Sequence, residues 1–407
     1  MFRQSKQVWA VAFACVVAFM GIGLVDPILP AIAQELKASP TETELLFTSY
    51  LFITGLAMLV TSWVSSRIGA KRTLLIGLGL IVAFALAAAL SPNVWAIIGF
   101  RAGWGLGNAL FISTALATIV GAASGGTSSA IILYEAALGL GIAIGPLVGG
   151  ALGSISWRGP FYGTSALMAI AFVAIIVLLG KDTSVRVRTK LSAPIRALGN
   201  PALGLLAIAA LFYNIGFFTL LAFTPFPLEK FAHQSAIGLG LTFFGWGLAV
   251  AVTSVWVAPL LTARMKRTSV LTLVLPLLAA DLAVAGIFVE NPLVLIIAVI
   301  VGGLFLGVLN TVFTESVMEA TDLPRAVASS AYSAVRFVGG AIAPPLAAVL
   351  AGANFIHAQV PYYVGGGALL VSMCVVIFGR RKLAAVNSEH REPPIVEAQA
   401  IGLGEPA

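Results

Sequence analysis

The sequence predicts an all-α membrane protein in which twelve transmembrane helices form two pseudo-symmetric six-helix halves around a central cavity. Apolar residues make up 59% of the 407 residues and charged residues only 10%, whereas about 25% are charged in an ordinary soluble domain. The apolar residues form long continuous runs, which are typical of membrane-crossing helices and not of the alternating strands of a membrane β-barrel. Motifs that recur in the first and last six runs are the third observation.

Twelve runs have about the 20 residues that a helix needs to cross a bilayer. They are 8–31, 44–64, 73–91, 94–118, 127–152, 160–180, 201–224, 235–261, 269–289, 292–317, 326–352 and 360–379. The first run is too long for the apolar core of a signal peptide, and it ends in Asp26-Pro27-Ile28-Leu29-Pro30 instead of a small-residue cleavage site. We therefore expect it to remain in the mature protein.

The longest internal polar segment, 181–200, separates six runs from the other six. Its position predicts an N-terminal bundle over 1–180 and a C-terminal bundle over 201–380, joined by a cytoplasmic linker. The tail 381–407 has little apolar surface to bury, so we expect it to be disordered and cytoplasmic.

Three motifs occur at corresponding places in both halves. The pairs are Gly105–Phe111 with Gly307–Phe313, Ser128–Ala130 with Ser329–Ala331, and Lys71–Thr73 with Lys266–Thr268. Two parallel six-helix repeats that flank a central binding site are an architecture of secondary transporters. The second pair gives Glu135 and Arg336 equivalent positions, and we expect them on opposite walls of the cavity.

The basic residues predict the orientation of the chain. The net charge is +7, and 18 of the 23 lysines and arginines fall on one side of the membrane when the N-terminus is cytoplasmic. Cytoplasmic loops carry this excess. We expect a multi-pass protein of the inner (cytoplasmic) membrane with both termini cytoplasmic, and the charge gives no reason to expect nucleic-acid binding.

The positions of the cysteines and histidines do not indicate a metal site. Cys15 and Cys374 lie inside apolar runs, and His233, His357 and His390 lie in loops or in the tail. This distribution indicates neither a disulfide nor a metal site, and no cofactor is expected. The expected partners are the lipid bilayer, protons and a small-molecule substrate, and the protein is expected to be monomeric.

The fifth run carries a periodic glycine face. Gly141, Gly145 and Gly149 recur at every fourth residue and leave one side of the helix bare, so that another helix can approach closely, while Pro146 loosens the backbone. The alternative is a generic small-residue packing face. The segment resembles the antiporter motif of exporters in the major facilitator superfamily.

Two further segments resemble motifs of that superfamily. Arg101 and Gly105 to Gly107 fit the arginine motif RxxQGxG, although Trp104 replaces the glutamine. Arg67, Gly69, Lys71 and Arg72 fit the loop motif GxLaDrxGrrxxl, although Ser62 and Ser66 replace its glycine and aspartate. The resemblance covers 8–380 and implies the major facilitator fold and the function of a 12-helix drug:proton antiporter, which exchanges protons for substrate by alternating access.

Six charged residues fall within the predicted spans. They are Asp26, Arg101, Glu135, Asp281, Glu315 and Arg336. In the resembled fold the third, sixth, ninth and twelfth helices lie outside the others, so every charge except Asp281 belongs to a cavity helix. Intramembrane charges usually mark functional sites, and the three acids on cavity helices favour a cationic substrate.

We expect Glu135, Asp26 and Arg101 to couple proton movement to transport, because a low dielectric favours the protonated carboxyl group. As alternatives, Asp26 caps the helix break before Pro27, and Arg101 extends to the outer headgroups. The expected substrate contacts are Trp104, Asn108, Asn214, Phe217, Trp246, Asn310, Glu315, Tyr332 and Arg336. Each of them has an alternative role in helix packing.

Three other functions are alternatives to export. An importer or facilitator has the same fold, but the antiporter-like glycines disfavour it. A membrane-embedded enzyme needs a nucleophile, metal ligands or paired carboxylates at helical spacing, and no such motif stands in the sequence. A sensor that transports nothing is expected to carry an additional soluble domain, which the sequence does not show.

Overall fold

The computed structural model describes residues 5–122, 126–180, 190–321, 323, 325–352 and 355–387. Its helices are α1 (Lys6–Gly23), α2 (Leu29–Glu35), α3 (Pro40–Ile68), α4 (Ala70–Ala89), α5 (Val94–Ala122), α6 (Gly126–Gly153), α7 (Gly159–Leu178), α8 (Ala193–Ala197), α9 (Pro201–Phe218), α10 (Pro225–Ala232), α11 (Ala236–Val252), α12 (Ala258–Thr262), α13 (Arg267–Ile287), α14 (Pro292–Glu319), α15 (Arg325–Ala351) and α16 (Val360–Phe378).

Each predicted span contains one helix or two successive helices of this structure. Within the described residues, nine helical segments are long and apolar enough to cross a membrane. Two of them are composite, because α9 continues into α10 and α11 continues into α12. The first, fourth and fifth predicted spans correspond to α1, α5 and α6, so the count of twelve crossings stays a prediction for these three.

Short polar residues and prolines start the long helices where the apolar runs begin. The hydroxyl of Ser39 accepts from the N–H of Glu42 while the Glu42 carboxylate accepts from the N–H of Ser39, which is a capping box at the start of α3. Asn200 and Asn291 cap α9 and α14 by accepting from backbone N–H groups of the first turn, and each is followed by a proline at the first helical position. The caps satisfy backbone N–H groups that lipid cannot hydrogen-bond.

The helices are interrupted at three places. The first predicted span, 8–31, is longer than the observed helix: α1 ends at Gly23, and a 3-10 turn at Asp26–Ile28 leads into α2. Pro27 lacks the N–H that a continuing helix needs, which explains the break. π-Helical turns lie at Thr219–Phe223 and Thr253–Val257, and such turns are frequent at functional sites.

The repeated glycines of the fourth and tenth spans make the same kind of contact. The Thr54 hydroxyl of α3 donates to the carbonyl oxygen of Gly105 at 3.1 Å, and the Ser254 hydroxyl donates to that of Gly307 at 3.1 Å. A Cβ atom at either glycine would collide with the backbone or hydroxyl of the opposing helix. The sequence repeat therefore preserves a close helix contact together with its hydrogen bond.

Candidate functional site

Arg336 and Asn310 form a polar contact between α14 and α15. The Nη1 atom of Arg336 donates to Oδ1 of Asn310 at 2.7 Å. The guanidinium also lies 5.7 Å from the ring centre of Tyr332 and 5.3 Å from that of Phe337, within the range of cation–π attraction. Three predicted substrate residues thus meet at one place, about 16 Å along α15 from its first residue at 1.5 Å per residue.

Aromatic rings from α9, α11 and α14 form a second group among the C-terminal helices. Tyr213 stacks on Phe313 at 5.3 Å, and Phe217 lies 6.3 Å from Tyr213 and 5.9 Å from Trp246. Phe217 is half-buried, whereas Trp246 is buried. Phe217 and Trp246 were predicted from the sequence, but Tyr213 and Phe313 were missed because single aromatic residues are common inside apolar helices.

Arg101 lies in a cage of aromatic rings. Its side chain is 0% exposed, its Cζ atom lies 4.3 Å from the ring centre of Tyr50 and 4.6 Å from that of Trp104, and its Nε atom donates to the carbonyl oxygen of Leu46 at 3.4 Å. The alternative that Arg101 extends to the headgroups is therefore wrong. The cage stabilises a cation whose burial would otherwise be costly.

Three predicted substrate residues are buried between helices. Trp104 and Asn108 are fully buried, and the Nδ2 atom of Asn108 donates to the hydroxyl of Tyr50 at 2.6 Å. The Nδ2 atom of Asn214 donates to the carbonyl oxygen of Ala210, one turn earlier in the same helix, at 2.9 Å. All three side chains have roles in packing, and their contact with substrate stays a prediction.

Glu315 forms an ion pair near one end of the bundle. Its Oε2 atom lies 3.4 Å from Nε of Arg267, and Nη1 of Arg267 also donates to the carbonyl oxygen of Val386 at 2.8 Å. The Glu315 carboxylate is therefore shared with a basic residue at the start of α13. Its predicted contact with substrate is not tested by this arrangement.

The glycine face of α6 packs against α1. A Cβ atom at Gly141 would lie 2.5 Å from the carbonyl oxygen of Val16, and one at Gly145 would lie 2.6 Å from that of Met20. Gly149 faces Leu24 even more closely. Because only hydrogen fits at these positions, the face is a tight interface with one particular helix. Pro146 lies within α6 on the side of α11, where its carbonyl oxygen faces Gly240.

The loop motif joins the start of α4 to the end of α7. Gly69 adopts a positive φ of 91°, which only glycine adopts readily, and so separates α3 from α4. The Nζ atom of Lys71 donates to the carbonyl oxygens of Ile176, at 3.0 Å, and Leu179, where a cation suits the negative end of a helix. Arg67 lies 5.5 Å over the ring of Trp63.

The corresponding basic segment of the second half makes a similar link. Arg267, at the start of α13, reaches the carbonyl oxygen of Val386 beyond the end of α16. In both halves, therefore, a basic residue at the start of the third helix binds carbonyl oxygens at or beyond the end of the sixth. Arg72 of the same motif lies exposed at the surface.

Two of the predicted proton-coupling residues have side chains outside the described part of the structure. The backbone of Asp26 belongs to the 3-10 turn and that of Glu135 to α6, but the side chains of both residues lie outside the described residues. Their predicted positions, including the proximity of Asp26 to Arg101 and of Glu135 to the cavity, stay predictions.

Glu44 is a buried carboxyl group that the sequence reasoning missed. Its side chain is 0% exposed. It precedes Thr48 by one helical turn, and the Thr48 hydroxyl donates to the carbonyl oxygen of Ala341 in α15 at 2.9 Å. Residues four apart lie on one face of a helix, so Glu44 shares the α15 side of α3. Its position at the start of an apolar run concealed it, because such residues usually lie in water.

The N-terminal and C-terminal helices are closed against each other at the predicted outer end. The Nε2 atom of Gln34 donates to Oε1 of Glu229 at 3.0 Å, and the Thr48 hydroxyl binds the carbonyl oxygen of Ala341 deeper in the bundle. Between α6 and α11, a Cβ atom at Gly240 would lie 2.7 Å from a carbonyl oxygen of α6. These contacts run from the outer loops toward the middle of the helices.

A bundle of long apolar helices, with buried charges and hydrogen-bonded polar groups between them, defines a multi-pass membrane protein. Residues 11–319 match the model of the Major Facilitator Superfamily, so the chain belongs to this family of transporters. Family membership makes the protein a transporter rather than an enzyme.

Several characterised proteins are similar to this chain. It is 50% identical over 390 residues to the multidrug efflux protein YfmO of Bacillus subtilis, covering 96% of this chain and 97% of that protein. It is 29% identical over 266 residues to the class E tetracycline resistance protein of Escherichia coli, covering 58% of this chain and 62% of that protein.

One solved structure also has this fold. The human organic anion transporter MFSD10 superimposes with a TM-score of 0.71 over 91% of this chain and 99% of that chain. At 16% sequence identity, this likeness concerns the fold alone.

Proposed function

We propose that this protein is a secondary active transporter that exports small amphipathic molecules, such as drugs or metabolites, in exchange for protons. The similarity to a multidrug efflux protein extends over 96% of the chain, which supports export as the direction. The same similarity supports placement in the inner membrane of a bacterial cell. Both termini would be cytoplasmic, as the basic loops require, and the protein would act as a monomer.

The observation that carries the proposal is the group of Arg336, Asn310 and Tyr332. Tyr213 lies close enough to interact with Arg336 and Tyr332, and it connects this group to the rings of Phe217 and Trp246. Binding sites for small molecules combine apolar and aromatic walls with a few placed polar groups. An amphipathic molecule would lay its rings against the aromatic side chains and direct its polar group to the arginine and the amide. Rings tolerate ligands of differing outline, which suits a broad substrate range.

Alternating access would open and close the two ends in turn. The contacts of Gln34 with Glu229 and of Thr48 with Ala341 close the predicted outer end, which supports an inward-facing arrangement of the bundle. Export requires that the substrate enter from the cytoplasmic side in such a state. The two six-helix bundles, 1–180 and 201–380, would rock against each other about the α3–α15 and α6–α11 contacts.

Proton exchange would be carried by Glu135, with Asp26 and Arg101 as further coupling residues. A proton and a substrate that favour opposite states of one carrier lower each other's affinity, and this linkage produces exchange. The aromatic cage supports a structural role for Arg101 within the N-terminal helices. The buried cation can also hold a neighbouring carboxylate ionised. Glu135 would then be the group that releases and binds the proton.

Accumulation of a fluorescent amphipathic dye in everted membrane vesicles tests this proposal. Respiration acidifies the lumen of such vesicles, so a proton antiporter of this orientation accumulates dye inside, and nigericin, which dissipates the pH gradient, abolishes the accumulation. Vesicles that lack the protein are the control. Accumulation in right-side-out vesicles only would identify an importer, and equilibration that ignores the pH gradient would identify a facilitator.

A further inference from the structure

Arg336 carries a positive charge that no described acidic side chain neutralises. The Nη1 atom of Arg336 donates to the neutral amide of Asn310, and the ion pair found among the described residues joins Arg267 to Glu315 instead. The rings of Tyr332 and Phe337 attract the guanidinium, but an aromatic quadrupole does not cancel its charge. A charge inside a membrane protein usually marks a functional contact.

Two buried hydrogen-bonding groups lie at this charge. The Nε atom of Arg336 and the hydroxyl oxygen of Tyr332 are both buried, and neither makes a hydrogen bond of regular geometry in the described part of the structure. The hydroxyl lies close enough to the guanidinium of Arg336 to interact with it. Buried donors are nearly always satisfied, and leaving one unmade is costly. An acceptor from outside the described residues would satisfy both groups.

Glu229 of α10 accepts a hydrogen bond from Gln34 at 3.0 Å, and Glu319 lies about 14 Å along α14 from Asn310 at 1.5 Å per residue. The two described acids within the predicted C-terminal spans also lie away from Arg336. The Glu315 carboxylate lies on Arg267. Asp281 of α13 lies against Gly302, which is about 12 Å along α14 from Asn310 at 1.5 Å per residue. Neither carboxylate is available to Arg336 in this arrangement.

We propose that the substrate of this transporter carries a carboxylate or a similar anionic group, which Arg336 and Tyr332 bind while Asn310 holds the guanidinium in place. The planar guanidinium presents parallel N–H groups to a carboxylate, a geometry that an ammonium lacks. The apolar part of the ligand lies toward Phe217 and Trp246. This inference rests on the proposed function, since it names the charge of the molecule that the same site takes.

The anionic class differs from the cationic one that the intramembrane acids favoured. That expectation rested on three acids, and Glu315 is occupied by Arg267 while the side chains of Asp26 and Glu135 lie outside the described residues. The charge in the group of Arg336, Asn310 and Tyr332 is positive. A ligand with both an acidic and a basic group could interact with charged residues of both halves of the bundle. The group that Arg336 binds is the carboxylate.

Calorimetric binding of three matched ligands to the purified protein tests the proposal. Naphthylacetate, naphthylacetamide and naphthylethylamine share the ring and differ in charge. The wild-type protein should bind the carboxylate most tightly. Arg336→Gln should weaken carboxylate binding about tenfold to a hundredfold, as for loss of a charge-assisted hydrogen bond, and should leave the amide nearly unchanged.

Further variants separate binding from folding. Arg264→Gln removes the same charge from an exposed loop position and should change nothing. If Arg336→Gln does not fold, Arg336→Lys and Tyr332→Phe keep the bulk of the site and should each weaken the carboxylate more than the amide.

Two results would overturn the proposal: equal weakening of all three ligands, or a wild-type protein that prefers the amine or does not bind the carboxylate at about millimolar concentration. Because binding needs neither a pH gradient nor a direction, a failure here is distinct from a failure of proton-driven export.

Discussion

Substitution of Gly145 measures how closely α6 and α1 must approach. A Cβ atom at this position would lie 2.6 Å from the carbonyl oxygen of Met20, whereas an ordinary contact begins at 3.4 Å. Gly145→Ala therefore forces a local separation of about 0.8 Å, and Gly141 and Gly149 prevent the helix from sliding away because they are equally confined. Overpacking of this kind costs about 1–3 kcal/mol, and a gap of about 0.5–1 Å forfeits a quarter to a half of each dispersion contact.

Thermal unfolding of the purified protein and dye transport in vesicles are the two measurements. Gly145→Ala should lower the melting temperature and the transport rate, and Gly145→Leu should abolish transport while the protein still inserts. Gly99→Ala is the matched control, since nothing lies within 4 Å of a Cβ there and alanine suits a helix better than glycine. Wild-type transport by Gly145→Leu would refute the idea that the face is a tight interface.

Three other expectations concern orientation and coupling. Reporter fusions at Lys382 and within 181–200 should both read as cytosolic, and a periplasmic signal from either would overturn the topology. Arg101→Lys should reduce transport at least about tenfold, since an ammonium cannot stack on both rings of the cage or keep a planar fork; an unchanged transport rate in vesicles would contradict this. Glu135→Gln should abolish proton-driven transport and flatten its pH profile, while binding of neutral ligands persists; an unchanged pH profile would remove Glu135 from the coupling mechanism.

Much of the fold was predictable because apolar length is a strong signal. The runs around α13, α14 and α16 matched their helices within a few residues, and the spacing of Gly141, Gly145 and Gly149 indicated a bare face before its partner was known. The predicted and observed helix ends differ where a residue such as proline interrupts an apolar run. Pro27 ended α1 earlier than hydropathy suggested.

The surroundings of individual side chains were much less predictable. These helices are apolar on nearly all sides, so periodicity does not tell which face meets lipid and which meets a neighbour. Sequence position predicted a depth for Arg101 but not its aromatic cage, and it did not reveal the ion pair of Glu315 with Arg267. The contact between Asn310 and Arg336 was likewise invisible, although both residues were named as candidates.

The position of Asp281 has a consequence for how the chain enters the membrane. Its helix, α13, has a mean hydropathy of 2.3, but an aspartate near the middle of an inserting helix costs about 3 kcal/mol. In the finished bundle Asp281 is only 9% exposed, and its Oδ2 atom would lie 2.9 Å from any Cβ at Gly302. Asp281 can be buried against α14 only after both helices are in the membrane. Insertion of α13 is therefore favoured when α14 emerges from the translocation machinery soon enough to enter the lipid with it as a pair.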